Sequence, residues 1–318
     1  MNFWQKLRKP IFILAPMADV TDSAFRQIIN KYGKPDVFWT EFVSADGLVR
    51  ASKEGKKKLL KDLAFSKAEK PIVAQFFTSS PTNMKKAAEL AVDLNFDGVD
   101  INMGCPDKTI EKQCAGAALM KNPKLARELI RSAKDGAGNL PVSVKTRLGF
   151  NKDELETWLP ELLAEEPAVI TIHARTRKEM SKVPAHWERI KRAVEIRNEL
   201  KSKTLVFGNG DVLNLKEARE RVKQTGCDGV MLGKAIFGNP WLFSSPVHEP
   251  TLKEKLKVCV EHTKLFEKLL GKTKNFAVMK KHFKAYVNGF EGAGDLRAKL
   301  MQTNKASEVE KIINRYLA

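Results

Sequence analysis

"DGVDINMGCPDKTIEKQCAGAALMKNPKLARELIRSAKDGAGNLPVSVKTR" spans residues 97–147. Its two ends, DGVDINM (97–103) and PVSVKTR (141–147), are short runs rich in Val and Ile that read as strands. Between them NPKLARELIRSAKDGAG (122–138) has helical period, a charged polar face and a Gly-rich end suited to a helix C-cap. A strand, a helix and a second strand make one βαβ unit, which orders its two strands in parallel.

The same unit recurs in both directions. Six further apolar runs stand at IFILA (11–15), DVFWTEF (36–42), PIVAQFF (71–77), AVITIHA (168–174), TLVFGNG (204–210) and DGVMLG (228–233). Their apolar residues are continuous rather than alternating, the mark of a sheet covered on both faces. Eight such strands alternating with helical segments, such as PTNMKKAAELAVDLN (81–95), predict a closed (β/α)8 TIM barrel in the α/β class. No GxGxxG follows the first strand, so a dinucleotide-binding open sheet is disfavoured. The opening MNFWQKLRKPIFILAPMADV is basic and then apolar, but its apolar stretch is too short for a secretion signal and reads as the first strand. After Pro250 strand signals stop and helical period takes over in three stretches, the last being DLRAKLMQTNKASEVEKIINRYL. The expected organisation is a barrel over 1–245 and a C-terminal α-helical bundle over 251–318.

With 56 Lys and Arg against 38 Asp and Glu, the chain carries a formal +18. Residues 251–318 hold 15 Lys and Arg against 7 Asp and Glu, a local +8. Either a lysine-rich solvated surface or a polyanionic partner such as nucleic acid accounts for that excess. No apolar run reaches the length of a membrane span. Four cysteines without a CxxC pair, and five scattered histidines, predict neither a metal site nor a disulfide scaffold. A reducing cytoplasm is the expected compartment.

In a barrel of this kind the chemistry sits at the C-terminal strand ends. In order these carry Pro16 and Met17, Glu41, Gln75, Asn102 with Cys105, Lys145 with Arg147, His173 with Arg175, Asn209-Gly210-Asp211, and Gly233-Lys234. The Gly-rich turns after strands seven and eight predict a phosphate site, where exposed backbone N–H groups bind an anion and Lys234 adds charge. Lys145, His173 and Gln75 offer donors suited to the carbonyl-rich edge of a reduced flavin. The plainer alternatives are a hydrogen-bonded core histidine at His173 and an ion pair from Lys145 to Glu41 or Asp100.

These residues carry a resemblance that spans nearly the whole chain. APMADVTDSAFR (15–26), AQFF (74–77), GVDINMGCPDKTIEKQCAGAALM (98–120), VSVKTRLG (142–149), ITIHART (170–176), GNGD (208–211) and GVMLGKAIFGNPWLF (229–243) resemble the tRNA-dihydrouridine synthases. The resemblance implies an FMN-dependent oxidoreductase that uses NADPH or NADH to reduce specific uridines in tRNA to dihydrouridine. It implies Cys105 as the catalytic residue. It implies Pro16, Met17 and Ala18 at the flavin through their backbone, Gln75, Lys145 and His173 at its rings, and Asn209, Gly210, Asp211, Gly233 and Lys234 at its phosphate. It implies Asn102, Arg147 and Arg175 at the target uridine, tRNA as the partner, a basic helical tail that grips RNA, and a monomer. The sequence departs from the family pattern at Lys234, where Arg is usual, at Asp19, where Gly is frequent, and in the loop RKEMSKVPAHW (177–187).

Reducing the C5–C6 bond of uracil requires a hydride at C6 and a proton at C5. An ordinary thiol has a pKa of about 8.5, so it is mostly protonated at neutral pH yet able to release its proton. Cys105 is therefore expected to be a general acid, although a helix N-terminus beside it would favour the thiolate. Cys114 is expected to be a small buried hydrophobe. The stacked target base must be turned out, at a cost of a few kcal/mol that backbone contacts offset. Two other readings remain: an FMN barrel acting on a free pyrimidine, and an RNA-binding protein without catalysis.

Overall fold

A computed structural model of the protein describes residues 2–318. Eight strands form one parallel sheet: β1 (Ile11–Leu14), β2 (Phe38–Ser44), β3 (Ile72–Phe77), β4 (Gly98–Asn102), β5 (Val142–Arg147), β6 (Val169–His173), β7 (Leu205–Asn209) and β8 (Gly229–Leu232). The order β1-β8-β7-β6-β5-β4-β3-β2 follows the chain around a ring. A parallel bridge between Ile13 and Val37 brings its two ends together, and Asp36 accepts from the Phe12 N–H at 2.7 Å beside it. The architecture is the predicted TIM barrel, with helices around it and a helical C-terminal region.

Several crossovers close with local signals visible in the sequence. Asn122 accepts from the Leu125 N–H and Pro123 opens the helix Pro123–Ala137, which stops at Gly138 with φ 57°. Ser80 and Pro81 start the helix Pro81–Asp93 in the same way. Inside the ring Ile11, Ile13, Trp39, Val73, Val169, Phe207 and Met231 pack as one buried cluster. Trp4, from the short 3-10 helix Phe3–Lys6, fills the ring from below, 5.7 Å from Trp39 and 5.6 Å from Phe207 between ring centroids. The amino-terminal stretch thus serves as β1 and its plug.

From Leu252 onward only helices follow: Leu252–Leu270, Met279–Tyr286, Ala293–Met301 and Ala306–Leu317. The last stretch of helical period is two helices rather than one. It breaks at Thr303 and Asn304, where the Asn304 N–H turns to the Glu308 carboxylate at 2.9 Å. This tail lies against the barrel helix Ser23–Tyr32. Phe25 there packs face to face with His262, at 4.8 Å, and edge-on to His282, at 4.7 Å. Both imidazoles are fully buried, and burial drives both well below their ordinary pKa, so they are neutral. Among the described residues no helix is long and apolar enough to cross a membrane.

Candidate functional site

A cavity of about 490 Å³ opens at the C-terminal ends of the strands. Pro16, Met17, Lys145, His173, Arg175, Asn209, Gly210, Asp211, Gly233 and Lys234 line it. Ala18, Gln75, Asn102, Cys105 and Arg147, which the sequence also singles out, do not. The sequence reading missed Ala15, Ser181, Val212, Leu213 and Met231 on the wall. Leu213 is 70% exposed at the mouth, and a lone loop Leu gives no sequence signal that it borders a site.

The wall after β7 and β8 is built from backbone. Gly210 has φ 132°, and a Cβ there would meet the Ala185 Cβ at 2.8 Å, so only Gly fits. At Gly233 a Cβ would meet nothing closer than the Ala15 Cβ at 3.5 Å and the Met17 Sδ at 3.8 Å, so its missing side chain leaves room in the cavity. The N–H groups of Gly210, Asp211, Gly233 and Lys234 find no protein acceptor among the described residues. Asn209 is held by its amide, which donates to the Met231 carbonyl at 2.8 Å.

Three cations face this wall: Lys145, Lys234 and Arg175. Among the described residues the Lys145 ammonium makes no hydrogen bond or ion pair; burial, helped by repulsion from Arg147, lowers its pKa to about 8 against the pull of Asp100. Arg175 donates to the Val183 carbonyl at 2.6 Å, to His173 Nε2 at 3.1 Å and to the Asp211 carboxylate. A guanidinium can only donate, so His173 Nε2 accepts and the ring proton sits on Nδ1. Burial, then the charges of Arg147, Lys145 and Arg175, hold His173 neutral. Asp211 also accepts from the Ala185 N–H at 2.9 Å and so anchors the 177–187 loop. The Met17 N–H is taken by Thr21 Oγ1 at 2.9 Å, which leaves its side chain to face the cavity. Ala18 is exposed beyond it.

A second set of polar residues lies behind the wall. Buried Asp100 accepts from Gln75 Nε2 at 2.6 Å and from Ser143 Oγ at 2.6 Å, and burial raises its pKa to about 6. Gln75 Oε1 accepts from Asn102 Nδ2 at 3.0 Å. Asn102 Oδ1 accepts in turn from the N–H groups of Gly104, at 3.1 Å, and Cys105, at 2.9 Å. Arg147 donates to the carbonyls of Gly104, at 2.8 Å, and of Thr176 and Met180, both at 3.2 Å. Together they hold the loop that carries Cys105. Its half-buried side chain packs by Phe42, Phe77, Ile110 and Ala115. Burial raises the thiol pKa; the Asp107 backbone, Lys145 and Arg147 oppose this without prevailing. The helix beside it, Lys108–Glu111, is a single turn, so its pull toward thiolate is weak. Cys114 corrects the sequence reading: it is exposed, at φ 55°, on the turn after that helix.

Glu41 does not pair with Lys145. Its carboxylate holds the Asp19 N–H with one oxygen and takes Lys274, from the helical tail, at 2.8 Å with the other. Lys274 also reaches Asp62 at 3.1 Å and Asp19 at 3.5 Å. Burial raises Glu41 to about 7, with Lys274 pulling down against it. Nothing in the local sequence around Lys274 signals this partner, 233 residues away.

The family model described as "Dihydrouridine synthase (Dus)" matches residues 13–317. A Staphylococcus aureus (strain MRSA252) protein named "Probable tRNA-dihydrouridine synthase" is 40% identical over 319 residues, covering 100% of this chain and 96% of that one. The Bacillus subtilis (strain 168) "Probable tRNA-dihydrouridine synthase 2" is 40% identical over 315 residues, covering 98% and 96%. Among solved structures, morphinone reductase in complex with tetrahydroNAD is similar in fold, with a TM-score of 0.52 at 14% identity over 78% of this chain and 91% of that one. Histamine dehydrogenase from Rhizobium sp. 4-9 has a TM-score of 0.54 at 12% identity over 80% and 48%.

Proposed function

The chain belongs to the dihydrouridine synthase family, and from that premise we propose that it reduces the C5–C6 bond of uridines in tRNA to 5,6-dihydrouridine, with FMN as its flavin and NADPH or NADH as reductant. The observation that carries this reading is the cavity itself, whose donor set lies one strand away from a protonated, loop-held thiol.

The residues fit FMN. The free N–H groups of Gly210, Asp211, Gly233 and Lys234 suit a phosphate, with the Lys234 ammonium beside them. The room at Gly233 lets a ligand approach the backbone. Lys145, a cation without a hydrogen-bond or ion-pair partner among the described residues, suits the edge of the ring system where negative charge collects on reduction. His173 presents a neutral imidazole, and Pro16 and Met17 border the opposite side. Gln75 acts one step removed, by fixing Asp100 and Asn102.

Bound there and reduced, the flavin supplies the hydride that C6 receives. Cys105 supplies the proton at C5 as its C5–H bond forms and the thiol S–H breaks. Burial keeps that proton on sulfur at neutral pH, which is the form a general acid needs. Asn102 and Arg147 serve the uridine by holding the thiol loop, and Arg175 by holding His173 and Asp211 at the wall. The helical tail over 251–318, with its net +8, grips the RNA backbone. Lys299, Lys311 and Arg315 line a groove of about 540 Å³ there with Tyr316, and none of the three cations forms an ion pair among the described residues.

The test is conversion of tRNA lacking dihydrouridine by the purified protein with FMN and NADPH, read as a gain of two hydrogens on uridine by mass spectrometry. Reduction of free uridine or orotate instead of tRNA would favour the free-pyrimidine reading.

A further inference from the structure

The segment between β2 and β3 holds more than one crossover helix. Ala45–Arg50 packs against the helix Pro81–Asp93 in the outer ring. A second helix, Lys53–Asp62, has no buried residue and is fastened by half-buried Leu59 and Leu60 and by Ser52, which accepts from the Gly55 N–H at 3.2 Å. Its position is set by its last residue. Asp62 meets Lys274 beside Glu41, midway along β2, and Asp19, in the loop after β1 whose Met17 lines the cavity, so this end of the helix stands near the face where the cavity opens.

Its sequence is KEGKKKLLKD. Counting Arg50 just before it, Arg50, Lys53, Lys56, Lys57, Lys58 and Lys61 are six exposed cations, against Glu54 as the one acid not already engaged by Lys274. None of the six forms an ion pair or side-chain hydrogen bond among the described residues. Lys53, Lys57 and Lys61 recur at a spacing of four and so share one face, with Lys58 next to Lys61 a turn away. Like charges at this spacing destabilise a helix, and Gly55 in its first turn weakens it further. Folding therefore gives no reason for this pattern. A polyanion laid along the face does, because it converts the mutual repulsion into attraction and releases its own counterions.

We propose that the helix Lys53–Asp62 is a second RNA-backbone contact surface, on the barrel rather than in the tail, joined to the tail through the Asp62–Lys274 contact. It rests on the reading of tRNA as substrate. Lysines make point-charge contacts to phosphates without reading bases, so this surface adds affinity and orientation, not sequence choice. It would hold the RNA at the rim of the cavity while the tail holds it farther out.

The test compares the full-length protein with two variants of equal charge. In one, Lys53, Lys57, Lys58 and Lys61 are changed to Gln; in the other, Lys191, Lys201, Lys203 and Lys223, away from this face, are changed to Gln. Binding of a tRNA transcript is measured across a salt series, with flavin binding and melting temperature as controls. The first variant is expected to bind tRNA about ten-fold or more weakly at physiological salt. Its slope of log affinity against log salt should be shallower by about two to four. Its flavin binding should be unchanged and its melting temperature equal or higher, because like-charge repulsion is relieved. The second variant should stay close to wild type. Equal loss in both variants, or wild-type affinity and slope in the first, overturns the assignment. Failure of the wild type itself to bind tRNA would remove the RNA reading and this proposal with it.

Discussion

Cys105 and Cys114 lie nine residues apart in one segment and differ in what surrounds them. With Cys105→Ala the protein should fold, bind FMN and accept electrons from nicotinamide normally, yet reoxidise about 10²- to 10⁴-fold more slowly when reduced flavin meets tRNA. Cys114→Ala should reoxidise at the wild-type rate, since its side chain is exposed. Rapid-mixing absorbance of the flavin reads both, and equal rates for the two variants would remove the general-acid role. At Lys145 the argument is about pH. Its ammonium, with a pKa lowered to about 8, is complete below pH 7 and lost as pH rises through 8, a range in which an ordinary lysine stays charged. Flavin affinity should therefore be flat from pH 6 to 7 and fall by up to about ten-fold per pH unit above 8. Lys145→Met should bind more weakly at pH 7 and lose that dependence, as followed by quenching of flavin fluorescence. Most of these residues were legible in the sequence because a polar group ending an apolar strand stands out against it. Their partners were not. The Arg175–Asp211 pair and the chain from Asp100 through Gln75 and Asn102 to the Cys105 loop depend on which strands are neighbours. The exposure of Cys114 depends on a turn with positive φ that no residue type announces.

At the scale of elements, the strands and ring helices followed from apolar runs, caps and Gly or Pro boundaries, since those signals act within a few residues. The break at Thr303 escaped because helical period continues across it and only a local side-chain bond interrupts the backbone. The junction of β2, the loop after β1 and the tail escaped as well, being made by Lys274 alone. Replacing Lys274 by Met leaves Glu41 buried without its counter-charge. Glu41 already has a folded pKa raised from 4.5 to about 7, so stability is lost as pH rises from about 4.5 through 7 and changes little above it. The variant should lose about 1–1.5 kcal/mol more at pH 8 than at pH 5.5, because an unpaired Glu41 can take up a proton at about 1.4 kcal/mol per pH unit above 7. Urea denaturation at the two pH values measures it. A loss independent of pH would assign the effect to packing, and adding Glu41→Gln should recover most of a genuine charge effect.

Over the whole molecule, barrel and tail share an apolar seam as well as that ion pair. Phe25 sits in it, fully buried, against His262 and His282. Phe25→Ala should cost about 3–5 kcal/mol. Helical signal at 222 nm and near-ultraviolet tryptophan signal, which comes from five residues that all precede the tail, Trp4 and Trp39 inside the barrel among them, should then still be lost in one transition at a lower temperature. Two separated transitions would mean that the tail melts by itself. The seam also bears on how such proteins can be recombined. A tail taken from a relative arrives with its own counterparts of His262, His282 and Lys274, and each must meet a ring, a carboxylate and a helix face on the host barrel. Grafting residues 251–318 as a cassette would therefore succeed only when the host's equivalents of Phe25 and Glu41 travel with them, so that the inheritable unit is the tail together with the barrel surface it covers.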